Sequence, residues 1–250
     1  MTDVRLAMQL RRALGGIGRK PRQPVHFLHV GKTAGTAVEF ALRPVSAAGP
    51  YELRFHPHDV TLPDIPEGQK VVFAVRDPVE RYVSGFYSRQ RQGRPRYDIP
   101  WTREESAAFG CFATANALAE ALSATDGETR TAAVDAMRSI RHVRDSYWRW
   151  FRDPEYLTSR TPDVLFVLWL DGLARGFGEL CDVLGVGTGI SLPDDDVAAH
   201  RNPPTVDRTV SAIGRANLRE WYGADYAFLD LCRSLPGRRR AEPDLGEARA

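Results

Sequence analysis

Three cysteines in 250 residues, Cys111, Cys181 and Cys232, are too few and too widely spaced for a disulfide framework, and no CxxC pair offers a zinc site. They read as thiols of a reducing compartment. No apolar run reaches the roughly eighteen residues of a membrane span, and no uninterrupted apolar core of a signal peptide stands near Met1. A cytoplasmic protein is expected. Net charge is scarce as well: 34 Lys and Arg against 32 Asp and Glu leave +2, too little to argue for nucleic acid. There is no internal repeat, and no metal-ligand pattern beyond one HxH pair, His56 and His58, for which no third ligand is placed.

What is present is an ordinary globular composition, 43% apolar and 26% charged, long enough for one α/β domain with its own core. The chain is organised around HFLHVGKTAGTAV at 26–38. Residues 25–30 are apolar and β-branched enough for a buried parallel strand, and Ala34 to Leu42 suit a helix packed back on the sheet. Gly31 and Gly35 let the backbone turn between them, so that amides and the positive helix end face one point. Lys32 adds a charge there, and Thr33 and Thr36 add hydroxyls. The natural occupant is an anion. A nucleotide triphosphate loop, GxxxxGK[ST], would need a glycine where His26 stands, which weakens a kinase or NTPase reading.

Along the chain, residues 1–24 interleave arginines with leucines, and the first twenty could touch an anionic membrane surface, a membrane-peripheral placement. Residues 25–235 form the expected domain, and 236–250 read as a disordered tail. Strands are expected at 51–55, 70–75 and 163–170, helical structure from 102 to about 149 with a polar, glycine-containing interruption at 123–128, a helix ending at Leu184, and a final helical region over 206–234. The strand KVVFAV ends in Arg76-Asp77-Pro78, where Asp77 is a good N-cap and Pro78 suits the first helical position. Arg81, Ser84 and Ser88 then share a helical face, although Arg81 could equally brace the preceding loop. Arg89, Arg91, Arg94 and Arg96 suggest a basic patch, which offers the alternative of an anionic-glycan-binding protein without catalysis, and Tyr147, Trp148, Trp150, Phe151 and Trp169 are candidates for stacking on sugar rings or for the core. Ligands of a parallel sheet sit at the carboxyl ends of its strands, where both Lys32 and Arg76 fall. A ligand with two separated phosphates fits.

These motifs resemble the sulfotransferases that use 3′-phosphoadenosine 5′-phosphosulfate (PAPS), in their carbohydrate 2-O-sulfotransferase-like branch. HVGKTAGT at 29–36 is similar to the family's 5′-phosphosulfate loop, VVFAVRDPVERYVSGFY at 71–87 to its 3′-phosphate motif, and HPHDV at 56–60 to its HxHV segment. The resemblance implies a P-loop-like three-layer α/β fold with a central, mainly parallel sheet flanked by helices. It assigns Gly31, Lys32, Thr33, Ala34, Gly35 and Thr36 to the 5′ end of PAPS, with Lys32 easing departure of the leaving group. Arg76 and Ser84 would hold the 3′-phosphate, and Arg201, in a late loop, would be a further contact. His58, or else His56, would be the base, with Glu39 and Glu52 as alternatives used in related branches. No metal is implied. The acceptor would be a hydroxyl of a carbohydrate or glycolipid, and the partners include no nucleic acid.

Overall fold

The computed structural model describes residues 22–194, 203 and 206–235. Residues 1–21, which include most of the expected basic segment, the expected tail at 236–250, and Arg201 lie outside the described residues.

Four strands, β1 (Gln23–Leu28), β2 (Tyr51–Phe55), β3 (Lys70–Val75) and β4 (Val164–Trp169), pair in parallel in the order β2-β1-β3-β4. The described helices are α1 (Gly35–Leu42), α2 (Pro78–Gln90), α3 (Arg103–Cys111), α4 (Ala115–Ala121), α5 (Gly127–Ser139), α6 (Trp148–Phe151), α7 (Pro154–Ser159), α8 (Leu173–Leu184), α9 (Ala212–Trp221) and α10 (Gly223–Ser234). None is long and apolar enough to cross a membrane.

β3 reads as an unbroken apolar run because both its faces are covered. Val71, Phe73 and Val75 pack with Leu28, Phe151 and Phe228 on the side of α6 and α10. Val72 and Ala74 pack with Phe27, Val38 and Leu180 on the side of α1 and α8. The sheet is therefore the middle of three layers. A separate core, with Phe86, Phe109, Leu118, Met137 and Leu218, joins α2 to α3, α4, α5 and α9.

Two boundaries differ from expectation. The helical stretch over 102–149 breaks within the expected interruption at 123–128, where Asp126 caps α5, and breaks again before α4, which Thr114 caps, while Thr102 caps its start. Helix over 206–234 begins only at Ala212, where Ser211 caps Gly214, and is split at Tyr222. By contrast Asp77 caps α2 as its sequence suggests, accepting from the amides of Val79 (2.9 Å) and Glu80 (3.1 Å).

Strand order decides where a ligand can sit. The chain steps from β1 outward to β2, then returns to place β3 on the other side of β1. The crevice beyond the ends of β1 and β3 is thus the switch point of the sheet. The loop of Lys32 leaves one strand there, and Arg76 ends the other.

Candidate active site

The turn after β1 is built differently from its sequence expectation. Its left-handed residues are Lys32 (φ 67°) and Ala34 (φ 61°), not the glycines. A side chain in that region is strained by about 1–2 kcal/mol. Alternating left-handed residues turn successive amides toward one side, the geometry of an anion nest. Ala34 is the N-cap of α1 and supplies no side-chain acceptor, which leaves the first amides of that helix open. Gly35 has another purpose: a Cβ there would lie 2.4 Å from Cδ2 of His29. Thr33 is buried and its hydroxyl donates to the Val30 carbonyl (2.9 Å), so it ties the loop together from inside.

Arg81 braces this loop. Its Nε donates to the Gly31 carbonyl (3.0 Å), and its Nη1 reaches Asp225 at 3.4 Å while the guanidinium lies over Tyr147. Asp225 also accepts from the Tyr147 amide (2.9 Å) and the Ser146 hydroxyl. The Tyr147 hydroxyl in turn accepts from the Arg76 amide (2.9 Å) and donates to the Arg76 carbonyl (2.7 Å). One buried network therefore holds both anion motifs at fixed separation. It also answers the question of the aromatic cluster: Tyr147, Trp150 and Phe151 are core residues.

Between the motifs lies a cleft of about 500 Å³. Lys32, Thr36, Arg76, Ser84 and His58 line it, as do Ala34 and Gly35. An apolar wall is added by Leu170, Leu173 and Leu192. Among the described residues the Lys32 ammonium meets no carboxylate, and burial, with Arg91 and Arg76 nearby, lowers its pKa to about 7. Among the described residues Glu80 is the one acid lining the cleft, and it approaches Arg76 at 3.8 Å.

His58 is oriented by its neighbours. Its Nδ1 lies 2.9 Å from the His29 carbonyl, its ring packs on that of His29 at 3.9 Å between centroids, and its own carbonyl accepts from Trp150 Nε1 (2.8 Å). A carbonyl can only accept, so Nδ1 carries the hydrogen and Nε2 of the neutral ring keeps a lone pair. Burial lowers the His58 pKa, and Arg141, Lys32 and Arg149 lower it further.

Other candidates lie elsewhere. His56 does not line the cleft; its Nε2 is 2.7 Å from His26 Nδ1, and His26 Nε2 is 2.6 Å from Gln69. Glu39 pairs with Arg43 and approaches His29 at 3.7 Å, and Glu52 pairs with Arg54 at 3.3 Å. Arg89, of the expected basic patch, does border the cleft, but its side chain is buried and donates to Glu105 through Nε (2.8 Å) and to the Ile99 carbonyl through Nη1 (3.1 Å). Three residues that sequence reasoning passed over, Arg141, His142 and Arg208, line the cleft. No local signal marks them, because the fold brings them in from the segments after α5 and before α9. Comparison with family models, with curated proteins and with solved structures finds no match.

Proposed function

We propose that the protein is a PAPS-dependent sulfotransferase of P-loop-like fold, acting on a carbohydrate hydroxyl. The observation that carries this reading is the convergence of Lys32, the open amides of α1, Arg76, Ser84 and His58 on one cleft at the sheet's switch point. The residues fit the nucleotide. A nest with a lysine that meets no carboxylate among the described residues suits its 5′ end, Arg76 and Ser84 suit a second phosphate, and Leu170 and Leu173 offer an apolar surface for a base. When bound, PAPS supplies an already activated sulfuryl group, so the chain's work is positioning and charge neutralisation.

Each side chain then has a task. Lys32, recharged beside an anion, neutralises charge on the leaving oxygen. His58 accepts the proton of the acceptor hydroxyl at Nε2, the atom left free by its bond to His29, and such a base contributes roughly a hundredfold to ten-thousandfold. Gly31 and Thr33 act through the loop's shape, and Ala34 through its left-handed turn.

The test is transfer of label from PAPS to a panel of glycans, together with a thermal shift on adding the product nucleotide 3′-phosphoadenosine 5′-phosphate (PAP). Labelled sugar and a shift support the reading. Failure of both nucleotides to bind would overturn it.

A further inference from the structure

We infer that His142 contacts the ligand, its imidazole N–H donating to oxygens of the group being transferred; this rests on the sulfotransferase reading above. His142 follows α5 in a turn and adopts φ 71°, a left-handed backbone that histidine tolerates better than most residues. Each anion motif yields a glycine to it. A Cβ at Gly31 would lie 3.4 Å from His142 Nδ1, and one at Gly85 would lie 3.1 Å from His142 Cβ. The residue is thus wedged between the two motifs, and it lines the cleft with its ring centroid 6.3 Å from that of His58.

Its chemical state follows from its surroundings. Burial, then Lys32, Arg141, His58 and Arg81, hold its pKa well below the usual value, so the ring is neutral at pH 7 with one N–H and one lone pair. Among the described residues the ring makes no hydrogen bond. A polar group facing a cleft without a protein partner is one that a ligand can satisfy. The role of base is already served by His58, whose tautomer exposes a lone pair. A neutral imidazole among cations is better used as a donor toward negative oxygens, the arrangement that stabilises charge developing in transfer.

Glycine and asparagine at this position separate the role from simple filling. His142→Gly removes the ring and accepts φ 71° without strain, and His142→Asn keeps a short N–H donor in a residue that tolerates the same backbone. PAP and PAPS affinities are measured by calorimetry without acceptor, alongside melting temperature, kcat and KM. The expected result for His142→Gly is an unchanged melting temperature and PAP affinity, a several-fold loss of preference for PAPS over PAP, and a fall in kcat of about a hundredfold or more. His142→Asn should recover part of each loss. An unchanged PAPS to PAP ratio with unchanged kcat would overturn the inference, as would an equal loss of both nucleotides with a lowered melting temperature. Wild-type protein that binds neither nucleotide would instead defeat the parent reading.

Discussion

At the residue scale the two groups that face each other across the proposed reaction respond oppositely to pH. Lys32 has a pKa of about 7 without ligand, and an anion beside it restores the higher value of an ammonium. Binding PAP must then take up a proton above pH 7. Affinity should be flat below that point and fall by up to about tenfold per pH unit above it, because only the free lysine has lost its proton there. Calorimetry in buffers of different ionisation enthalpy reads the uptake directly. Binding that is indifferent to pH from 6 to 9 would remove Lys32 from the anion site. His58 sets the other limb. It must be neutral to accept a proton, and burial lowers its pKa in the free protein, so the acid loss of kcat/KM should lie below the usual histidine value. His58→Ala should keep PAP binding and lose roughly a hundredfold to ten-thousandfold in kcat; undiminished turnover in that variant would move the base to another residue.

At the scale of elements, α1 and the loop before it are fixed by an exchange of volume between Gly35 and His29. In an unconstrained first turn of a helix, Gly→Ala would stabilise by about 0.5–1 kcal/mol. Here the added methyl would meet the His29 ring at 2.4 and 2.6 Å, and that ring is buried against His58. Gly35→Ala should therefore destabilise by about 1–3 kcal/mol, the cost of overpacking, seen as a lower urea midpoint with unchanged slope. A stabilised variant would show that His29 yields freely. The same elements show what local sequence carries. Strand β3, the Asp77 cap and Pro78 are legible because apolar runs and capping side chains act within a few residues. The inward turn of Arg89 is not, since Glu105 that receives it belongs to another helix. Nor is the positive φ at Lys32 and Ala34, where glycine would be expected. His142 is the extreme case, since nothing near it in the chain points to a cleft formed by residues 29–36 and 76–88.

At the scale of the whole molecule, a chain of net charge +2 concentrates cations where its strand order reverses. Lys32 and Arg76 arrive from adjacent strands, and Arg141 and Arg208 add to the cleft from loops, against Glu80 as the single acid among the described residues. Such a site should separate nucleotides by their second phosphate. PAP and ADP share a 5′-phosphorylated adenosine, but only PAP places a phosphate at the 3′ position that Arg76 and Ser84 are proposed to hold. A ligand that binds the folded state alone stabilises it by about 2.7 kcal/mol at a hundred times its Kd. PAP should accordingly raise the melting temperature well beyond an equal concentration of ADP. Arg76→Ala should erase most of that difference while leaving the ADP shift in place. The backbone clamp from Tyr147 to Arg76 uses the amide and carbonyl, which the substitution retains, so the fold has no reason to follow the lost side chain. Equal shifts by PAP and ADP in the wild-type protein would mean that the cleft reads one phosphate, and a nucleotide-dependent kinase would then be the better account of Lys32.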